Sequence, residues 1–140
     1  MEVSRIRALR GPNLWSRHTA IEAIVTCTAD EQGLSPQHPT EQHLRRIFPE
    51  VGPFDAVRPG LSVSLAHALE KVTLGLQIQA GCPVSFSRTT PTEERGVYQV
   101  VVEYSEESVG RKALELAEKL CNAAISGMGF DLEASIAHLH

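Results

Sequence analysis

Cysteine is scarce in this chain and poorly spaced for chemistry. Cys27, Cys82 and Cys121 are odd in number and form no C-x-x-C pair. That excludes a disulfide framework and a four-cysteine zinc site, and predicts reduced, mostly buried thiols in a cytoplasmic protein. A basic excess is missing as well. Thirteen Lys and Arg against seventeen Asp and Glu give a net charge of -4, which argues against a nonspecific nucleic-acid partner but permits a local basic patch. No apolar run approaches the ~20 residues of a membrane helix, so no membrane partner is expected. Arg5, Arg7 and Arg10 interrupt the N-terminus, and no apolar core of a signal peptide follows them. The sequence also lacks a G-x-x-x-x-G-K-[ST] loop and a glycine-rich strand-to-helix turn. Nothing in it would cradle ATP, and no cofactor is expected within this chain.

What remains is ordinary globular composition, 42% hydrophobic and 21% charged over 140 residues, enough for one domain with one core. Val3 to Leu9 reads as a strand, Arg10-Gly11-Pro12-Asn13 as a turn, and Ile21 to Thr28 as a second strand with Ile21, Ala23, Val25 and Cys27 on one face. Antiparallel pairing of the two is the simplest arrangement. Thr40 is placed to cap a short helix with Leu44, Ile47 and Phe48 on its apolar face. A long helix follows from about Leu61 to Gln79, stopped by Gly81 and Pro83. Val84 to Arg88 is a short strand candidate, Thr89 to Gly96 a polar loop, and Val97 to Tyr104 a strand apolar on both faces and therefore central. Ser105 is expected to cap a helix to about Ser126, with Val109, Ala113, Leu116, Leu120 and Ala124 facing inward. Asp131 is placed to cap a last helix, and the chain stops inside that pattern as a piece of a longer protein would. The order predicts an α+β two-layer sandwich, helices on one face of a mostly antiparallel sheet.

Three stretches together resemble one family. They are Arg7-Ala8-Leu9-Arg10-Gly11-Pro12-Asn13-Leu14-Trp15-Ser16, His67-Ala68-Leu69-Glu70 through Leu76-Gln77 to Ala80-Gly81, and Gly96-Val97-Tyr98-Gln99-Val100-Val101-Val102-Glu103-Tyr104. In this order and spacing they are similar to the N-terminal domain of cyanophycin synthetases, over nearly the whole chain. The resemblance implies a parent enzyme that uses ATP and Mg to build a polyaspartate chain carrying arginine on each side-chain carboxylate. The chemistry would lie in downstream ATP-grasp and Mur-ligase-like modules. The N-terminal domain would hold the polymer, contact its own downstream domains and support a homo-oligomer. In some members it would also carry a metal-dependent site that cuts the polymer into primers.

That cutting site is expected to read H-x-x-E-H with a further acid one turn later: two histidines four apart bind zinc, and the glutamate is the general base. His67 and Glu70 match the first two places; Lys71 and Gly75 stand at the second histidine and the later acid. A protonated lysine repels a cation and glycine has no side chain, while zinc needs about three protein ligands. The site therefore reads as degenerate, without a metal, the Lys71 ammonium standing roughly where the metal charge would be. His67 then has two readings, a half-buried helix residue bonded locally or a polymer contact.

A polymer bearing carboxylates and guanidinium groups needs partners of both signs. Arginine's planar fork suits carboxylates, and Arg5, Arg7, Arg10, Arg17 and Arg88 are the supply, with Glu70, Glu93, Glu94 and Glu103 for the polymer's arginines. Most such charges in any protein are solvated and contribute little to stability. Arg5 and Arg7, two apart on a strand, are expected to share a face. Arg10 and Asn13 would project from the turn that Gly11 and Pro12 shape. Trp15 is expected to pack on the sheet, or else to stack on a guanidinium. Two rival readings accompany polymer holding: a residual primer-making hydrolase, and a structural module that only packs on its own downstream domains.

Overall fold

The computed structural model describes residues 1–11, 18–32, 46, 48, 64–126, 136, 137 and 139. Among the described residues, four strands and two α-helices follow in the order β1 (Glu2–Leu9), β2 (Ala20–Thr26), α1 (Leu65–Gln79), β3 (Ser87–Pro91), β4 (Val97–Glu103) and α2 (Glu107–Ile125), with a 3-10 turn at Ala29–Glu31. The strands form one sheet in the order β1-β2-β4-β3 with every neighbouring pair antiparallel. Both helices pack on one face of it and against each other, as the element order predicts.

Period-two alternation sets which face is buried. Ile21, Ala23 and Val25 of β2 lie opposite Val102, Val100 and Tyr98 of β4, and these rows point at the helices. Ile21, Ala23, Val25, Val100 and Val102 are buried, and Cys27 continues the row. β4 is central, flanked by β2 and β3, and Val101 on its other face is also buried. From the helices come Leu65, Leu69, Leu76, Ala113, Leu114 and Leu120.

The ends of α1 follow local chemistry. Ser64 is its N-cap, with an extended backbone and a side chain that accepts the His67 N–H. The predicted start at Leu61 lies outside the described residues. At the other end Gly81 adopts φ +90°. The Gly81 N–H donates to the Ile78 carbonyl and the Cys82 N–H to the Gln77 carbonyl, both at 2.9 Å. This is the left-handed glycine stop that the sequence predicts.

Several expectations need correction. β3 begins at Ser87 and includes Thr89, Thr90 and Pro91, paired with Val100, Gln99 and Tyr98. The β-branched threonines suit a strand, and a proline is tolerated because β3 is an edge. Val84 is buried but precedes the strand. The N-cap of α2 is Glu106, not Ser105, and its side chain makes no capping bond. Leu114, Ala117 and Cys121 share the inner face of α2, whereas Leu116 and Ala124 are only half-buried. In β1, Arg5 has φ 50°, and Ser4↔Ile24 and Arg7↔Glu22 set three residues of β1 against two steps of β2. This bulge breaks the alternation that placed Arg5 and Arg7 on one face. The proposed helices after Thr40 and Asp131, and Trp15, Arg17 and Asn13, fall outside the described residues. Phe48 and Leu139 are described and fully buried.

Candidate functional site

The helix-free face of the sheet gathers the charged candidates. Arg7 of β1 lies opposite Glu22 of β2, Glu22 opposite Val101 of β4, and Arg88 of β3 opposite Val101. One cross-strand row therefore reads Arg7, Glu22, Val101, Arg88. With strands about 4.8 Å apart, the two arginine Cα positions are separated by about 14 Å. Both arginines are exposed. The Arg7 guanidinium donates to Glu22 Oε1 at 2.7 Å, and Gln99 Nε2 donates to Glu22 Oε2 at 2.9 Å. Glu22 is thereby fixed between strands, while most of the exposed Arg7 fork remains toward solvent.

Two residues along β4 from Val101, on the same face, stands Glu103. The sequence reading offered it as a partner for the polymer's arginines; it is only 4% exposed. Its N–H donates to the Phe86 carbonyl, and its carboxylate Oε1 accepts the Ser85 N–H at 3.0 Å. Among the described residues, Glu103 lines a cleft of about 470 Å³ together with Gly11, His18, Thr19, Pro83 and Ser105. Gly11 thus sits at the rim of this cleft. Of the sequence-predicted site residues, Arg7, Arg88 and Glu103 come together on one face with Arg10 adjoining. Arg5 stands apart in the bulge, and Asn13 is outside the described residues. Glu22 and Gln99 were missed. Their signal was the alternation of β2 and β4, which turns both away from the apolar rows.

His67 and Glu70 lie on the opposite side, between α1 and the sheet. Glu70 is 4% exposed. Its Oε1 accepts from Ser87 Oγ at 2.7 Å and its Oε2 from Thr89 Oγ1 at 2.6 Å. Lys71 Nζ stands 3.5 Å from Oε1. The carboxylate is thus held by two hydroxyls and an ammonium. His67 Nδ1 accepts the Ser64 N–H at 3.3 Å and lies 2.8 Å from Ser64 Oγ, so the neutral ring carries its proton on Nε2. It closes a capping box in the place usually taken by Glu or Gln. The ring meets Tyr98 edge to face at 6.0 Å. The Ser64–His67 contact is a helix cap rather than a nucleophile and its base, because Ser64 is buried and its Oγ accepts the His67 N–H.

The residues do not fit zinc. His67, Lys71 and Gly75 share one face of α1 at intervals of four. The second carries a cation. A Cβ built on the third would lie 2.6 Å from Phe48 Cδ1, so the Phe48 ring fills the space a ligating side chain would need. Among the described residues no three His, Cys, Asp or Glu side chains cluster as a metal site.

Burial lowers the His67 pKa, and the Lys71 charge adds to that while Glu70 opposes it. The folded chain therefore binds a proton here less readily than the unfolded chain. Stability from this group is full above the unfolded pKa near 6.5 and declines as pH falls below it, down to the folded value. Replacing His67 by Gln keeps a capping-box residue but removes the titration. We expect the wild-type chain to lose more unfolding free energy than H67Q between about pH 7.5 and pH 5, read from denaturant midpoints. Parallel losses would mean that His67 does not titrate in this range.

No helix among the described residues is long and apolar enough to cross a membrane. Comparison with known proteins bears directly on the resemblance. Residues 49–126 match the family model described as cyanophycin synthase-like N-terminal domain. The cyanophycin synthetase of Trichormus variabilis is 36% identical over 139 residues, covering 89% of this chain and 15% of the relative. That of Geminocystis herdmanii is 30% identical over 150 residues, covering 95% and 17%. That of Synechocystis sp. is 30% identical over 146 residues, covering 94% and 16%. The chain spans about one-sixth of the length of these relatives. The match runs from Pro49 through both helices and the β3–β4 hairpin and covers more than half of the chain, which therefore belongs to the cyanophycin synthase-like N-terminal domain family.

Proposed function

We propose that this domain holds the aspartate–arginine polymer cyanophycin on the helix-free face of its sheet, as the N-terminal part of a cyanophycin synthetase. Bond formation with ATP and Mg would belong to the other modules of the parent chain, against which this domain would also pack. The observation that carries the reading is the cross-strand row of Arg7, Glu22 and Arg88 with Glu103 on the same face. It sets both signs of charge at strand spacing beneath an extended ligand that bears both signs. Arginine forks take carboxylates bidentately, and a sheet face accepts an extended chain without rearranging.

The alternative, a metal-dependent cut of the polymer, has His67 and Glu70 in its favour. Against it stand the two hydroxyls and the ammonium that hold Glu70, and Phe48 over Gly75.

The test is calorimetric titration of the chain with short β-aspartyl-arginine repeats. Saturable binding below about 1 mM is expected, weakening several-fold as salt rises from about 50 to 300 mM because the contacts are exposed ion pairs. Replacing Arg7 and Arg88 together by Ala should cost about tenfold in affinity, the loss of two exposed charge-assisted contacts. Absence of binding at millimolar repeat would end the holding role for this chain. Shortened polymer after incubation with zinc would favour the cutting reading instead.

A further inference from the structure

We propose that the outer edge of β3 takes the main chain of an extended, acidic polyamide as an added strand. Naming the polymer as that chain rests on the holding reading. The edge stands on its own hydrogen bonds.

Antiparallel strands alternate between residues that exchange both main-chain bonds with a neighbour and residues that turn theirs away. The Glu103 N–H donates to the Phe86 carbonyl at 2.9 Å, and the Thr92 N–H to the Val97 carbonyl at 3.0 Å. These two bonds fix the phase of the ladder. Arg88 and Thr90 bond to β4, while Ser87 and Thr89 point their N–H and C=O groups outward. β3 is the last strand of the sheet on that side, and among the described residues no bond reaches those outward groups. The two side chains do not compete for them, because both hydroxyls donate to Glu70 on the helix side. The strand is thus held extended before a ligand arrives, which lowers the ordering cost of pairing.

The opposite edge of the sheet is closed. In β1 the bulge at Arg5 breaks the ladder, and Glu118 Oε2 accepts the Val3 N–H at 2.7 Å. On β3 only Pro91 limits pairing, since it has no N–H. An added strand there is short, so main-chain bonds supply affinity and side chains supply choice. On the helix side a ligand arm beside Ser87 meets Lys71. That ammonium is 22% exposed and shares the acceptor Glu70 Oε1 with Ser87 Oγ. Lysine carries three donors, so an acidic arm is favoured at this place. A second copy of the chain fits less well: pairing about a two-fold axis at Arg88 would set that charge directly opposite its twin. A polyaspartate main chain with carboxylates on its side arms meets both demands. Strand alternation then carries every second arm over the helix-free face.

Amide hydrogen exchange, read residue by residue by NMR on the isotope-labelled chain, tests the edge with β-aspartyl-arginine repeats as the probe. Saturating repeats should slow exchange at Ser87 and Thr89 at least about tenfold, and leave Arg88 and Thr90, already bonded to β4, within about twofold. Repeats with N-methyl groups on their main-chain amides keep every side arm but lose the donors, and should bind at least about tenfold more weakly. A capped oligo-aspartate of about six residues, the length of a typical strand, is the second probe and should protect the same two amides. Unchanged exchange at Ser87 and Thr89, full binding by the methylated repeats, or slowing that grows with chain concentration in the absence of any probe (a second copy at the edge) would overturn the assignment. The two claims fail separately. If repeats bind by calorimetry and leave both amides unprotected, holding stands and the edge falls. If repeats do not bind while oligo-aspartate protects both amides, holding falls and the edge stands.

Discussion

Replacing Glu70 by alanine should lower the unfolding free energy by about 3 kcal/mol, because it leaves two half-buried hydroxyls and an ammonium without their acceptor and opens a void where a buried side chain stood. The donors are Ser87 Oγ at 2.7 Å, Thr89 Oγ1 at 2.6 Å and Lys71 Nζ at 3.5 Å. The two hydroxyls tie α1 to the edge strand β3. Gln at this position keeps the shape and one acceptor oxygen, and should cost about 1–2 kcal/mol. The sign of the effect discriminates between roles. A glutamate kept as a water-activating base is positioned for chemistry, and its replacement abolishes turnover while leaving the fold nearly intact. A glutamate kept as a clasp does the reverse. Denaturant unfolding followed by circular dichroism gives the answer. An E70A chain within about 0.5 kcal/mol of wild type would remove the clasp. Replacing Glu70, Ser87 and Thr89 together by apolar residues of similar size should recover much of the loss, since a fully apolar seam has no orphaned donors.

The fold was legible wherever one periodicity dominated. β2 and β4 show clean apolar rows, and α1 ends at a glycine whose φ of +90° only that residue accepts easily. Legibility failed where two rules compete. Thr89-Thr90-Pro91 is polar and carries a proline, so it reads as a loop; as an edge strand it needs neither an apolar outer face nor every N–H. Arg5 and Arg7 have strand spacing, but the bulge at Arg5 shifts the register, and a bulge on an exposed strand leaves no compositional mark. The site was half legible. Residue types named Arg7, Arg88 and Glu103 as ligands for a polymer of both signs. Only pairing in the sheet could put them on one face, because they come from three strands far apart in sequence. Burial of Glu70 and Glu103 was hidden for a related reason: their partners, Ser87, Thr89 and the Ser85 N–H, come from segments distant along the chain.

Gly75 is where the proposed degeneracy of the metal site and the stability of the fold meet, and it yields the largest expected effect. A Cβ at this position would lie 2.6 Å from Phe48 Cδ1 and 3.1 Å from Cγ, and Phe48 is fully buried. Alanine gains about 1 kcal/mol of helix propensity over glycine, but displacing a packed ring costs about 1–3 kcal/mol. G75A should therefore range from neutral to about 2 kcal/mol destabilised. Glutamate adds a longer side chain and a carboxylate with no partner in an apolar site, so G75E should lose more than about 3 kcal/mol. The consequence for chemistry is specific. Writing the zinc ligands back as Lys71→His with Gly75→Glu should give a chain that unfolds at lower denaturant and holds no stoichiometric zinc, because Phe48 stands in the place of the third ligand. Lysine at 71 and glycine at 75 then belong together: the ammonium satisfies Glu70 where a metal would draw on it, and the bare Cα gives Phe48 its seat. Wild-type stability with one tightly bound zinc in the double variant would show that the pocket accommodates both, and that the two ligands alone separate this domain from a polymer-cutting one.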